Sequence, residues 1–499
     1  MSKFNVRKQD TTKTVNHEGG QAFKSTAKRE LCSLVSTSIL KDVFYEKADV
    51  RLDRLKKLIK DVVNEDGGAL FVAKLASFAR NELYLRTMPL ILMVELAIIH
   101  NGDDIVKRTA NAVINRADEI AEALAYWKHT LKLEALGKKA ISKQLRLGLA
   151  DAFHKFDEYQ FSKYKGKGNI VSLRDAMFIV HPKPRDKEQE ALFNRIASDT
   201  LVVADTWETK ISATKGDENL KKEAWEKLIA EKKLGYMATL RNLRNFVKIG
   251  ISKDAMIMVA DYISNEKAVL NSKQLPYRFL SAYRAMRADG IAKSHLFVSA
   301  LEKAMVISAS NIDCFGEKED VMISCDVSGS MTCGRISDDI TYADLGLTLG
   351  VTLSNRLKFC DFGVFGENTK MITDLPKTSI LESVETLRDY GNIVGHSTNG
   401  YKVVRDARLA EKKYDRIVLF TDCELWGGSL VDEWRAYKKT VNPNAKLVIF
   451  NLAGYGTTPI KMNALDTLTV DGWSDKIFNA IDMIENEANL LAHIESIEI

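Results

Sequence analysis

The sequence predicts a multidomain protein of α and α/β class: an α-solenoid followed by an α/β domain whose parallel sheet is covered by helices on both faces. Three observations predict it. The chain has 499 residues, more than a single hydrophobic core accommodates. From Ala22 to about residue 314, apolar residues recur at spacings of three and four, and strand-like runs are nearly absent; that is the period of helices burying one face. From about residue 315, short apolar runs alternate with helical ones, as in a parallel sheet wound through helices.

Taken in order, residues 1–20 are polar, end in NHEGG and read as an extended arm. AKRELCSLVSTSILKDVFY then carries Leu31, Leu34, Val35, Ile39 and Val43 at helical spacing, and VRLDRLKKLIKDVV repeats the pattern with Leu52, Leu55, Leu58, Ile59 and Val62. A break at Gly67-Gly68 precedes LFVAKLASFARNELYL. LILMVELAIIH follows Pro89, which fits the first turn of a helix, where its missing N–H has no partner to lose. Further helices are expected at about 104–127, 130–153, 190–212, 216–233, 235–247, 253–264, 276–288 and 293–308. Helix pairs in series bury their faces on one another as a solenoid. No clean repeat period is visible, so any repeat is degenerate. This divides the chain into an arm (1–20), a helical domain (21–314) and an α/β domain (315–499).

In the last part, strands are expected at VMISC (321–325), FCDFGVF (359–365), RIVLF (416–420), KLVIF (446–450) and TLTV (467–470). Helices are expected near 340–357, 378–389, 401–412, 428–440 and 473–487. Ligands of such sheets bind beyond the carboxyl ends of strands.

The bulk composition excludes several classes. With 45% apolar and 28% charged residues and a mean hydropathy of −0.17, the chain reads as an ordinary globular protein. It has no apolar run of transmembrane length and no apolar leader near Met1. Six cysteines, Cys32, Cys314, Cys325, Cys333, Cys360 and Cys423, form no CxxC pair and have no histidines at zinc-binding spacing. A reducing, cytoplasmic setting is expected. Charge is uneven: residues 1–314 hold 53 Lys and Arg against 39 Asp and Glu, while residues 315–499 hold 19 against 28. A basic domain of this size suggests a polyanionic partner, nucleic acid first.

Two stretches carry the chemistry. In VMISCDVSGSMTCG, Asp326, Ser328 and Ser330 alternate in a Gly-bounded loop just past a strand. A carboxylate and two hydroxyls so spaced converge their oxygens on one point, a donor set suited to a hard cation such as Mg2+. The pattern resembles the metal-ion-dependent adhesion site of von Willebrand factor A domains. Thr398, in the loop GNIVGHSTNG, and Asp422, just past RIVLF, could complete five oxygens around an ion open to an acidic ligand. The bland alternative is that these residues cap strand-to-helix turns.

The second stretch, residues 159–187, crowds Lys163, Lys165, Lys167, Arg174, His181, Lys183 and Arg185 among Tyr159, Tyr164, Phe161 and Phe178. Cations neutralise phosphates, and aromatic and guanidinium planes stack on unpaired bases. A solvated charged loop between helices is the competing reading. Arg241 and Arg244, three apart in MATLRNLRNFVK, are a further candidate pair. Arg278, Arg284 and Arg287 in LPYRFLSAYRAMR form another, with helix-bridging as the alternative. His100, His129, His154, His295 and His493 are scattered and read as structural or surface residues. No GxxxxGK[ST], HExxH or GxSxG occurs, and the DVSGS serines have no general base in their loop, so no enzyme is expected.

VNHEGGQAF, FVAKLASFAR, YLRTMPLILMVELA, KYKGKGN, MATLRNLRNF and LPYRFLSAYRAM together resemble the TROVE domain of Ro ribonucleoproteins, with DVSGS marking the von Willebrand factor A partner module. That resemblance spans nearly the whole chain. It implies a ring of HEAT-like helical repeats closed by the Rossmann-like A domain. It also implies Y RNA-like small non-coding RNA on the outer basic surface, and single-stranded 3′ ends of misfolded RNAs in the central hole. Lys163, Lys165 and Lys167 match the family's KYKxR stretch, with Lys at 167 for Arg, and His181 matches its xHxKP stretch. A divalent cation, Mg2+ first, is implied as cofactor. A monomer acting in RNA quality control is expected, with an exoribonuclease or other protein as further partner and no membrane. One departure is Asn399, where the family commonly has an acidic residue; weaker ion binding is the expected result. Two rivals remain open: a metal-dependent protein-interaction scaffold without RNA, and a metal-dependent nuclease.

Overall fold

The computed structural model describes residues 12–37, 45–133, 141–164, 169–274, 276–288, 295–308, 319–373, 375, 379–461, 464–472 and 490–499. By packing, the chain forms two compact units. One comprises Met1–Leu52 and Ile229–Asn486, the other Asp53–Leu228 and Glu487–Ile499.

The second unit is helical. Helix Thr87–Ile99 is apolar all round and buries Met88 to Ala97, as a helix at the centre of a bundle must. Helix Gly68–Asn81 buries Phe71, Val72, Leu75, Ala76 and Phe78. Helix Lys143–Ala152 lies so close to Ile105–Val113 that a Cβ on Gly148 would meet that of Ala110 at 2.6 Å. The buried carboxylate of Glu119 pairs with Arg80 at 2.7 Å and accepts the N–H groups of Asn115 and Arg116 at 2.9 and 3.0 Å. The terminal helix Leu490–Ser496 is tied to this unit by His493 and Glu82, 2.9 Å apart.

Three expected helices are divided. In the 104–127 region, helix Ile105–Val113 ends at an extended Ile114 and Ala117–Leu133 begins anew. In the 130–153 region, Ser142 caps a fresh start at Lys143, its hydroxyl accepting from the Leu145 N–H. In the 190–212 region, helix Lys187–Ala197 ends before a left-handed Asp199, and Trp207–Ala213 begins anew behind a Thr206 capping box. The exposed β-branched Val202 and Val203 lie between them, outside any helix or strand. Local caps outweighed the apolar period.

The other unit holds two sheets. Its strands are β1 (Lys13–Val15), β2 (Gln21–Lys24), β3 (Asp320–Asp326), β4 (Phe359–Phe365), β5 (Thr369–Ile372), β6 (Arg416–Thr421), β7 (Lys446–Asn451), β8 (Thr457–Thr458) and β9 (Thr467–Asp471). The large sheet runs β5-β4-β3-β6-β7-β9. All its pairings are parallel except β4 with β5. That antiparallel edge was not expected; the turn at residues 366–368 is too short for a crossover. The expected helix at 473–487 lies outside the described residues. Nor is the N-terminal stretch an extended arm over its described part: β1 and β2 form a hairpin, and β2 pairs with β8.

In chain order the sheet grows from β3 to β4, then returns across β3 to add β6. The switch point therefore lies between the carboxyl ends of β3 and β6, where crevices form in doubly wound sheets.

Candidate functional site

Asp326 ends β3 and Asp422 follows β6, one on each side of that switch point. Both are fully buried, as is Ser328; Ser330 and Thr398 are each 4% exposed. Asp326 accepts the Ser328 N–H at 2.9 Å and the Thr421 hydroxyl at 2.7 Å. Ser328 and Ser330 hydroxyls lie 3.5 Å apart. The loop carrying Thr398 is pinned to both others: Gly329 N–H donates to the His396 carbonyl at 2.8 Å, and Trp426 N–H to the Thr398 carbonyl at 3.0 Å. The structure thus brings together the three segments that the sequence points to.

The electrostatics are those of an anion cluster. Burial, then the charge of Asp422, pushes the Asp326 carboxyl up to about 7. Burial also raises Asp422, against the hydroxyl of Ser330 and the Glu424 N–H. Glu424, fully buried, is pushed up to about 8 by burial and by Asp422. The Asp422 Oδ2 and Glu424 Oε1 atoms are buried without a hydrogen-bond partner. A buried, unsatisfied carboxylate oxygen is unfavourable unless something else completes it. An all-oxygen set around it fits a hard divalent cation. Among the described residues no cluster of three His, Cys, Asp or Glu side chains suits a metal by itself; the hydroxyls are essential to this donor set. Asn399 donates its amide to the Glu367 carbonyl at 2.9 Å, and its Oδ1 is buried without a hydrogen-bond partner.

Sequence reasoning missed Thr421 and Glu424, although both stand in LFTDCE beside Asp422. It also missed His17 and Glu18, which the N-terminal hairpin brings alongside, and Tyr45, whose ring stacks on His17. No local signal could have found those.

Among its described residues, the basic stretch carries two short helices, with Lys183 and Arg185 in the chain beyond the second. Glu158–Lys163 starts from an Asp157 capping box, and Leu173–Val180 from a Ser172 one. Lys163 Nζ stands over the rings of Tyr159 and Tyr164, at 5.8 and 5.5 Å, and Arg116 covers Tyr164 at 4.2 Å. Arg174 covers Phe178 at 5.7 Å, and that ring is 51% exposed. His181 closes the second helix in left-handed conformation, φ 54°. Lys183 and Arg185 follow, exposed. Lys163 and Arg174 also line a cavity of about 940 Å3 with Tyr164, Ser172 and Thr209. Lys165 and Lys167 lie outside the described residues. Arg241 and Arg244 are exposed on helix Tyr236–Ile249, in the other unit. Arg284 is not an exposed cation: it is committed to Asp344 and Glu385.

Residues 199–322 match the TROVE domain family, and residues 320–484 match the Ro60 vWA domain family. The chain is similar to telomerase protein component 1 of Rattus norvegicus, 22% identical over 43% of this chain and 11% of that protein. The Mus musculus counterpart is 23% identical over the same shares. The chain therefore spans about a tenth of the length of these curated relatives. Among solved structures it resembles that of the Deinococcus radiodurans RO (RSR) protein, with a TM-score of 0.61 and 17% identity, over 91% of this chain and all of that one.

Proposed function

We infer the function from one premise: the chain belongs to the Ro family, carrying a TROVE domain and a Ro60-type von Willebrand factor A domain in consecutive order, and is accordingly an RNA-binding ribonucleoprotein protein. The finer reading is that it binds Y RNA-like small non-coding RNAs through Lys163, Arg174, His181, Lys183 and Arg185, with Lys165 and Lys167 in the same stretch. Arg241 and Arg244 would contact RNA separately. The observation that carries this reading is the pairing of cations with half-exposed rings, Arg174 over Phe178 above all. Such a pair offers one group for a phosphate and another for an unpaired base. Single-stranded 3′ ends of misfolded RNAs would enter the central hole that the resemblance implies, selected by strand width rather than sequence. RNA quality control in the cytoplasm, with an exoribonuclease or other protein as partner, follows from that role. No described helix is long and apolar enough to cross a membrane.

Asp326, Ser328, Ser330, Thr398 and Asp422 would hold the divalent ion, Mg2+ first. When bound, it supplies a positive docking point for a carboxylate. The orphaned Asp422 Oδ2 supports this reading, and the hydroxyl-rich set suits docking better than the water-activating chemistry of a nuclease.

The test compares binding of RNAs with and without a single-stranded 3′ tail at several salt concentrations. Tailed RNA should bind tighter, and affinity should fall steeply with salt. Equal affinity, or a flat salt response, would sink the threading reading.

A further inference from the structure

The turn Asn16–Gly20, between β1 and β2, is built against the loop that follows Asp422. Asn16 is buried, and its Nδ2 donates to the Leu425 carbonyl at 2.8 Å. Its Oδ1 accepts the Gly20 N–H at 2.7 Å. The His17 N–H donates to Glu424 Oε2 at 2.7 Å. Gly19 has φ +78°, and a Cβ on Gly20 would stand 2.1 Å from the Leu425 carbonyl oxygen. NHEGG is therefore not a generic polar stretch. Two of its residues hold the 424–425 loop, and its two glycines supply a left-handed bend and a backbone approach that no side chain permits.

Between these anchors stands Glu18. Its carboxylate accepts a hydrogen bond from the Tyr45 hydroxyl. That ring is fixed on two sides: His17 stacks on it at 5.2 Å, and Tyr455 meets it edge-on at 5.2 Å. The Ser330 hydroxyl eases the rise in the Tyr45 phenol pKa that burial and Glu18 impose. Glu18 thus sits in the turn whose residues Asn16 and His17 bond to Leu425 and Glu424. It is held there by a turn pinned to the loop of Asp422, whose Oδ2 lacks a partner.

We propose that Glu18 is the acidic ligand that this chain supplies to its own metal site, the N-terminal hairpin delivering in cis the carboxylate an open coordination position calls for. The proposal rests on the metal reading above. Hard divalent ions take carboxylate oxygen directly or through a retained water, and the Glu18 carboxylate suits either mode. An acidic segment of a partner protein docking at the ion then has to displace Glu18, so the hairpin sets how readily the site accepts one.

The experiment is a titration of the full chain with Mn2+, free ion being read by electron paramagnetic resonance. Glu18 is exposed, so Glu18→Gln keeps the fold, and a thermal melt in EDTA checks this. Glu18→Gln should raise the Mn2+ Kd by about tenfold, the lower end of what removing an outer-shell partner does. Tyr45→Phe, which frees the carboxylate from the phenol, should leave the Kd unchanged or lower it. A Glu18→Gln chain that binds Mn2+ like the parent overturns the proposal while leaving the metal site intact. A parent that binds no Mn2+, or an Asp326→Asn variant that binds as the parent does, overturns the metal reading and this proposal with it.

Discussion

Arg284 and Asp344 meet as a fork: Nη1 and Nη2 of the arginine each lie 2.7 Å from one carboxylate oxygen. The same guanidinium donates to Glu385 at 2.6 Å and to the Asp339 carbonyl at 2.7 Å. Asp344 is fully buried and caps its own helix, Tyr342–Arg356, by accepting the Thr341 N–H. One side chain from helix Pro276–Arg287 thereby closes three segments of the α/β domain. Removing one partner of a buried pair strands the other, at about 3–5 kcal/mol. Arg284→Ala should lower stability by that order in urea denaturation. Arg284→Lys should restore only part of it, a point charge being unable to form the fork.

The same pair sets a pH response. Burial raises the Asp344 carboxyl, but the hydrogen bonds and charge of Arg284 outweigh it and hold it below the usual carboxylate range. A folded pKa depressed below the unfolded value of about 3.9 means stability fully present above that value and lost as pH falls through the folded pKa. The stability gap between the parent and Asp344→Asn should therefore be constant from pH 6 to 8 and shrink below about pH 4. A gap that grows on acidification would contradict the assignment.

The candidate metal centre has the opposite sign. Asp326 is raised to about 7, so ionising it opposes folding as pH climbs toward that value. A bound cation offsets this, and protons compete with the cation. Mg2+ at 100 times its pH 8 Kd should stabilise the chain by about 2.7 kcal/mol at pH 8, and the same concentration should stabilise it less at pH 6. Thr398→Ala and Asp326→Ala should each abolish most of that gain. Full Mg2+ affinity in Thr398→Ala removes Thr398 from the ligand set.

For RNA, each lost phosphate contact should reduce the salt slope by about 0.7 on single strands. Lys183→Ala and Arg174→Ala should each do so. Phe178→Ala should weaken binding by about 1–3 kcal/mol with no change in slope, the mark of lost stacking. Filter binding at four salt concentrations separates the two behaviours. An unchanged slope in both cation variants would remove this face from the interface.

Gly20→Ala tests the hairpin. Its Cβ has no room against the Leu425 carbonyl, so the turn must shift, at about 1–3 kcal/mol for an overpacked contact. Hydrogen exchange should then rise in residues 13–24 and 422–426 together. Exchange confined to one of the two segments would show that they are not coupled.

Much of the site was legible because its parts are local patterns. Asp-x-Ser-x-Ser after an apolar run, and an Asp closing RIVLF, each announce a strand's carboxyl end, and the sheet puts β3 beside β6. The edge strand β5 was missed because TKMI is a short run within a polar hairpin, and the division at 198–206 because caps are weaker signals than period.

By itself the sequence determined the order of the two architectures, the parallel strands of the large sheet, the DVSGS loop and the basic stretch, since each depends on spacing within a few residues. Only the tertiary structure decided that Tyr45 and the turn at Asn16–Gly20 stand beside Ser330 and Asp422. It also decided that Arg284 serves Asp344, and that Asp422 keeps an unsatisfied oxygen. Those contacts join segments from 60 to 409 residues apart, and no periodicity records them. They are fixed by the hairpin pairing with β8 and by the burial of the DVSGS end of the sheet, where a few oxygens must find partners or an ion.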